Sequence, residues 1–398
     1  MDILNKEAWE QKALIKAGAL SVQELMQETL ARIKTVNPIV NALVDLLNEE
    51  DCFNLTSENY ALERSLGGMP MAIKDLANVK GFKTTEGSPL YSGRVAEKDD
   101  QMVARLRAAG ALFIGKTNTP EFGLGSNTFN PVYGKTKNPY DLSKTCGGSS
   151  GGAAVALATR MLSISDGSDM MGSLRNPAAW NNIYGLRPTW GLVPPEPTGE
   201  IFLSQLSTLG PMARSPKDLA MLLDVQADRI ENESFISSAK TFSNFTEEPI
   251  MKGIKVGWLG DWSGTLPFED GLLDLSQEAL NEMSSLGAII HDLKAPFEMN
   301  DIWTSWSDLR AWQISNGLSA IYEDLEMRQY LKPEAVWEIE CGLSLSGQDI
   351  YKSALKKSKW YNSASQLFEK FDLLVLPSTQ VWPFDLAEIY PVSINSQD

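Results

Sequence analysis

A single histidine, His291, in a chain of 398 residues removes the usual partner of a serine or cysteine nucleophile from almost the whole sequence. It stands in GAIIHDL, which reads as a short apolar strand, where a histidine is more often structural or superficial than a base. Acid–base chemistry is therefore expected from another residue type, and lysine is the candidate. Cysteine is almost as scarce. Cys52, Cys146 and Cys341 are an odd number, cannot form a disulfide framework without leaving one over, and match no metal-ligand spacing. That fits a reducing cytoplasm and implies neither metal nor cofactor. Cys146 has no histidine nearby and reads as a buried, inert thiol rather than a nucleophile. No run of about 18 apolar residues occurs, and the opening MDILNKEAWEQKALIKAG lacks the basic start and apolar core of a signal peptide, so neither membrane span nor export is expected. Basic residues are also outnumbered, 35 against 51 acidic, and a net charge of −16 argues against direct binding of nucleic acid.

Two serine-bearing glycine turns, centred on Ser149 in TCGGSSGG and Ser173 in SDMMGSLRNPAAW, are what the chain does contain. Glycine lets backbone approach a ligand closely or adopt positive φ, so such turns present hydroxyls beside exposed N–H groups, as acyl transfer requires. A phosphate-binding reading of CGGSSGG is weaker, because the lysine of a phosphate-binding loop and its spacing are absent. The best candidate base is Lys74, carried by the apolar run Met69–Ile73. Burial would lower its pKa and leave a neutral amine able to accept a proton. A strand-end lysine with its head in water is the commoner fate, and local sequence alone favours it.

The coarse pattern is that of an α/β protein with a mixed central β-sheet flanked by helices on both faces. A helix is expected from Ser21, in capping-box spacing with Glu24, with Val22, Leu25, Met26, Thr29, Leu30 and Ile33 on one face. QMVARLRAAG reads as a helix ending at Gly110, followed by a strand in ALFIGKTNTPEF; GGAAVALATR reads as a buried helix and MLSIS as a strand leading to the turn of Ser173. Further on, IKVGWLGDW, the amphipathic segment Leu272–Leu286 and AIIHDL have the look of a β-α-β unit. No linker-like composition divides the chain, so one domain over 1–398 is expected, with 60–225 as its core and 226–370 as a less regular region.

The runs GMPMAIKDL, GKTNTPEF, NPYDLSKTCGGSSGG, SDMMGSLRNPAAWNNIYGLRPT and GPMARSPKDLAMLLD, in that order, resemble the amidase signature family of Ser-cisSer-Lys amide hydrolases. Lys74 precedes Ser149 by 75 residues and Ser149 precedes Ser173 by 24, as in the family pattern. The resemblance implies an amidase that forms an acyl-enzyme, with Ser173 as nucleophile, Ser149 as bridging hydroxyl behind a cis Gly148–Ser149 bond, and Lys74 as base. It further implies an oxyanion hole of backbone N–H groups from Met170, Met171, Gly172 and Ser173, supported by Gly147, Gly148, Ser150 and an Asp169–Arg175 contact. Met171 stands where relatives commonly have glycine, and a turn needing positive φ there would strain it. Trp303, Trp306, Trp312 and Trp337 fall in the region that shapes the substrate entrance in the family, where they either line an acyl pocket or cover the core.

Two alternatives stay open: a protein resembling the glutamyl-tRNA amidotransferase component that passes ammonia to a partner, and a catalytically silent homologue serving in interactions alone. Relatives usually continue for several tens of residues past a strand like FDLLVLPSTQVWPF, which would enter the central sheet near the site. The early stop after Asp398 therefore raises the expectation of truncation, with a homodimer or a completing partner chain covering the exposed edge.

Overall fold

Strand Pro70–Lys74 alternates its side chains between two separate apolar cores. Met71 and Ile73 join a cluster with Leu25, Leu106, Phe113 and Leu222, whereas Ala72 joins Met26, Ile114, Val155, Leu157 and Met212 on the other side. A strand buried on both faces needs helices on both, and helix Val22–Val40 supplies Leu25 to one core and Met26 to the other. The computed structural model describes residues 3–57, 63–196, 200, 202–227, 241–244 and 250–397. It divides into two compact units, Met1–Phe245 with Pro383–Tyr390, and Thr246–Trp382 with Pro391–Asp398.

In the first unit, Pro70–Lys74 pairs parallel with Leu112–Thr117, which pairs antiparallel with Leu43–Val44. A bulge between Met71 and Ala72 shifts the register, so that Lys116 lies opposite Ile73 and Thr117 opposite Lys74. Neighbours in register share a face, so the bulge sends Lys116 to the side opposite Lys74. There Lys116 meets Asp75 at 3.8 Å, both side chains buried. A second sheet has the order Ile164–Asp169, Thr208–Ala213, Tyr184–Gly185, all antiparallel. The two sheets abut at Pro70–Lys74 and Ile164–Asp169, joined there by side chains: the Lys74 amide donates to Asp166 Oδ1 at 3.0 Å and Ser165 Oγ to the Ala72 carbonyl at 3.4 Å.

The predicted helix at Ser21 runs Val22–Val40 with its capping box formed, Ser21 Oγ accepting from the Glu24 amide at 3.1 Å. Helix Gln101–Ala108 precedes Leu112–Thr117 as expected. The strand read at MLSIS begins later, at Ile164, and runs on to Asp169, because its ladder with Thr208–Ala213 extends to that residue. Helix Gly151–Ala158 is buried from Gly151 to Leu157, and it packs on backbone: a Cβ at Gly152 would lie 2.3 Å from the Asn118 nitrogen and 2.5 Å from the Ala42 oxygen. Neither atom can swing aside as a side chain does, so Gly152→Ala is expected to destabilise the protein by about 1–3 kcal/mol or more. A fall in the urea midpoint without a change in slope would register it.

In the second unit, Lys255–Trp258 and Ile289–Asp292 pair parallel across the helix Leu272–Ser285, which is the expected β-α-β unit. Strand Leu373–Val375 does not enter the sheets of the first unit. It pairs parallel with Lys255–Trp258 and completes a three-stranded sheet of its own unit, with Leu373 still 43% exposed. His291 is exposed on that sheet, its ring 5.5 Å from that of Phe371. Of the tryptophans expected to cover core or line a pocket, Trp303 and Trp337 are mostly exposed. No helix among the described residues is long and apolar enough to cross a membrane.

Candidate active site

Continuing the alternation of its strand, Lys74 follows Ala72 onto the face covered by helix Gly151–Ala158. Its side chain is buried, and three hydroxyls surround the amine: Ser149 Oγ at 2.8 Å, Ser150 Oγ at 2.9 Å and Ser168 Oγ at 3.0 Å. Burial pushes the Lys74 amine down to about 7, against the upward pull of the Asp166 and Asp169 charges. Near neutrality it is thus divided between cation and free amine.

A neutral amine has two hydrogens and one lone pair, so of three hydroxyl neighbours two accept and one donates. Ser150 is an acceptor, because its own hydroxyl is donated to the Ser168 carbonyl at 3.3 Å while it receives the Ser168 amide at 3.3 Å. Ser149 Oγ has no other partner among the described residues and is free to donate to the amine. The peptide Gly148–Ser149 is cis, and Gly147 has φ +77°. A Cβ at Gly147 would meet Asn176 Oδ1 at 2.5 Å and the Trp180 ring at 2.8 Å. Thr128 Oγ1 ties the turn to the helix behind it, donating to the Gly147 carbonyl at 2.8 Å and accepting the Gly151 amide at 3.2 Å.

Ser173 follows Ile164–Asp169 by one short turn, and its carbonyl accepts the Ser150 amide at 3.3 Å. Its hydroxyl makes no hydrogen bond to Ser149 or to any other described residue, so the structure brings Lys74 and Ser149 into direct contact and leaves Ser173 beside them without a link to the pair. The turn before it is organised by Asp169. Its carboxylate accepts the amides of Gly172 at 2.7 Å and Leu174 at 3.1 Å, and a two-pronged contact from Arg175 at 3.0 Å on each oxygen. Arg187 adds a bond to Oδ1 at 3.1 Å and another to the Asp169 carbonyl. Burial raises the Asp169 carboxyl, but Arg175 and the two amides outweigh it and hold the group down to about 2.

Positive φ in this turn falls on Gly172, at +108°, and not on Met171, so the methionine that replaces glycine carries no left-handed backbone. Its side chain is 46% exposed. The amides of Met170, Met171 and Ser173 have no acceptor among the described residues, whereas the Gly172 amide, expected beside them, is occupied by Asp169. Cys146 is fully buried and its thiol is pushed by that burial up to about 12, which suits an inert packing role. Among the described residues no cluster of three or more His, Cys, Asp or Glu is arranged to hold a metal ion.

Sequence reasoning missed Ser168, Asp166 and Arg187 as members of this region. For Arg187 and Ser168 the signal was membership of a recognised run, at GLRPT and at the start of SDMMGS; Asp166 lies outside that run and had none, since its partner is 92 residues away.

A sequence model of the Amidase family matches residues 24–398. The A subunit of glutamyl-tRNA(Gln) amidotransferase from Alkaliphilus metalliredigens is 31% identical over 94% of this chain and 84% of its own, and its counterpart from Thermus thermophilus is 33% identical over 98% and 86%. A bacterial aryl acylamidase of the amidase signature family superposes with a TM-score of 0.89 at 24% identity, over 99% of this chain and 84% of that one. Sequence and fold agree, and the chain belongs to the amidase signature family, enzymes that act on amide C–N bonds.

Proposed function

We propose that the protein hydrolyses a small carboxamide to a carboxylic acid and ammonia or an amine, with Ser173 as nucleophile, Ser149 as proton shuttle and Lys74 as base. One observation carries this reading: a fully buried lysine amine 2.8 Å from the hydroxyl of Ser149, which has no competing partner among the described residues. Neutral Lys74 takes the Ser149 proton as Ser149 takes that of Ser173, and the Ser173 oxygen bonds to the amide carbonyl. The resulting oxyanion is held by the amides of Met170, Met171 and Ser173, while Gly172 supplies the turn's positive φ. As the C–N bond breaks, the proton on Lys74 returns through Ser149 to the leaving nitrogen, and water later attacks the acyl-enzyme with the same relay as base. Among the described residues Ser149 and Ser173 make no hydrogen bond, and the relay requires one to form when substrate binds, as catalytic contacts commonly do.

Treatment with a fluorophosphonate and peptide mass spectrometry tests this without knowledge of the substrate. An adduct on Ser173, lost in Ser173→Ala, is the expected result; a folded chain that takes up no label at Ser173 would overturn the assignment.

The amidotransferase relatives favour a second reading, in which this chain liberates ammonia from glutamine for a partner protein. Glutaminase activity that appears only with a co-purified partner chain would support it over free-standing hydrolysis.

A further inference from the structure

Asp166 is a fully buried carboxylate, 1% exposed, with no lysine or arginine nitrogen within 4.0 Å among the described residues. The other buried carboxylates nearby do have cations: Asp75 faces Lys116 at 3.8 Å, and Asp169 holds Arg175 and Arg187. What Asp166 touches is the backbone of the candidate base, accepting the Lys74 amide at 3.0 Å where the two sheets abut. A buried carboxylate without an ion pair is costly unless neighbouring charge or hydrogen bonding sustains it.

Resting on the proposed role of Lys74, we infer that Asp166 is a positioning residue for that base: its carboxylate pins the Lys74 backbone and its charge favours the protonated amine, restraining the relay as pH falls.

The charged surroundings are few. The lysine strand contributes Lys74 and, just past its end, Asp75; the adjacent strand contributes Lys116; the strand of Asp166 itself contributes Asp169. Helix Gly151–Ala158 and strand Thr208–Ala213 carry no titratable side chain. Helix Pro216–Gln226 brings Lys217, which lies over the Trp9 ring, Asp218, which accepts the amides of Ala8 and Trp9, and Asp224, which accepts those of Phe242 and Ser243. These leave Lys74 and Lys116 as the cations beside Asp166, and Lys116 already has Asp75. Burial raises the Asp166 carboxyl to about 6, against the Lys74 amide bond and the two lysine charges, so it ionises just below the range in which Lys74 loses its proton. Two such groups titrate as a pair.

Asp166→Asn keeps an oxygen for the Lys74 amide and removes the charge. The rate of fluorophosphonate labelling of Ser173 against pH, in wild type and variant, is the first readout. The acid limb is expected to move to lower pH by on the order of one unit in the variant, about a fivefold gain in relative rate at pH 6 that approaches tenfold at lower pH. The second readout is independent of activity: the ¹³Cε resonance of Lys74, assigned by its loss in Lys74→Met, should show the same displacement of midpoint. In wild type that resonance should titrate in two steps, which tests the pair even if the variant does not fold. A single-step wild-type titration, or a variant whose profile and midpoint stay put, overturns the inference. Failure of Ser173 to label while the Lys74 midpoint still moves would instead fault the proposed catalytic role and leave the pairing intact.

Discussion

Lys74→Met is expected to lower amide turnover by about 10²–10⁴-fold, the usual contribution of a positioned general base. The methionine fills nearly the same volume without a proton-accepting group, so the change removes chemistry and keeps packing. The same variant carries a stability signature that an ordinary surface lysine could not give. Lys74 falls from 10.5 to about 7 on folding, so between these values the unfolded chain binds more protons than the native one. Native stability from this group therefore rises with pH through that window, and the penalty for burying the cation is fully present below pH 7. Methionine has no such dependence. Whatever the difference in stability between variant and wild type at pH 6.5, it should shift by about 3 kcal/mol in favour of wild type by pH 9.5. Urea denaturation at both pH values, alongside turnover of simple carboxamides and anilides, checks the two effects together. Unchanged turnover would remove Lys74 from the relay, and a stability difference flat with pH would mean that its amine reaches water.

What made Lys74 readable was an apolar run carrying one amine, together with motif spacing that extended over most of the first 225 residues. Local signals served equally well elsewhere. The capping box at Ser21 is a contact across three residues, and the β-α-β unit of the second region is two apolar strands around an amphipathic helix. The misses share a different physics. Ser168 and Asp166 sit on one strand, Ile164–Asp169, and matter because a neighbouring strand from far away in sequence aims an amine and an amide at them. No periodicity encodes such pairing. The fate of Gly172 was hidden for another reason: whether an amide in a tight turn faces a ligand or a carboxylate depends on φ and ψ values that the letters GS leave open. The strand Leu373–Val375 misled because so apolar a run suits a central strand, yet this one lies at a sheet edge. Beyond it, Pro383–Tyr390 joins the first unit, where the Thr145 amide bonds the Phe384 carbonyl at 3.0 Å and the Phe384 ring lies 5.7 Å from Trp180.

Asp169→Ala should be the most damaging change to the turn itself, destabilising the protein by about 3 kcal/mol and abolishing fluorophosphonate uptake at Ser173. The carboxylate is fully buried, and its removal leaves the Gly172 and Leu174 amides without their acceptor. Arg175 and Arg187 also lose their counter-ion, but they remain 49% and 27% exposed, so water recovers part of their solvation and the cost stays at the lower end for a broken buried pair. The activity effect follows from geometry. Gly172 holds φ +108° with its amide fixed on Asp169, and once that bond is gone the free amides of Met170, Met171 and Ser173 lose the rigid frame that an oxyanion site requires. Asp169→Asn separates the two contributions: one side-chain oxygen can still accept one amide, so the loss of stability should be smaller while labelling stays strongly impaired. The pH dependence gives a further check. Held at about 2 in the native state against 3.8 unfolded, Asp169 contributes stability that is present above pH 4 and lost as pH falls through 2, about 2 kcal/mol in all. Both variants should lack that acid-side loss, so their stability should converge on that of wild type as pH is lowered from 4 to 2. Full labelling of Ser173 in Asp169→Ala would show that the turn is held by something other than this carboxylate.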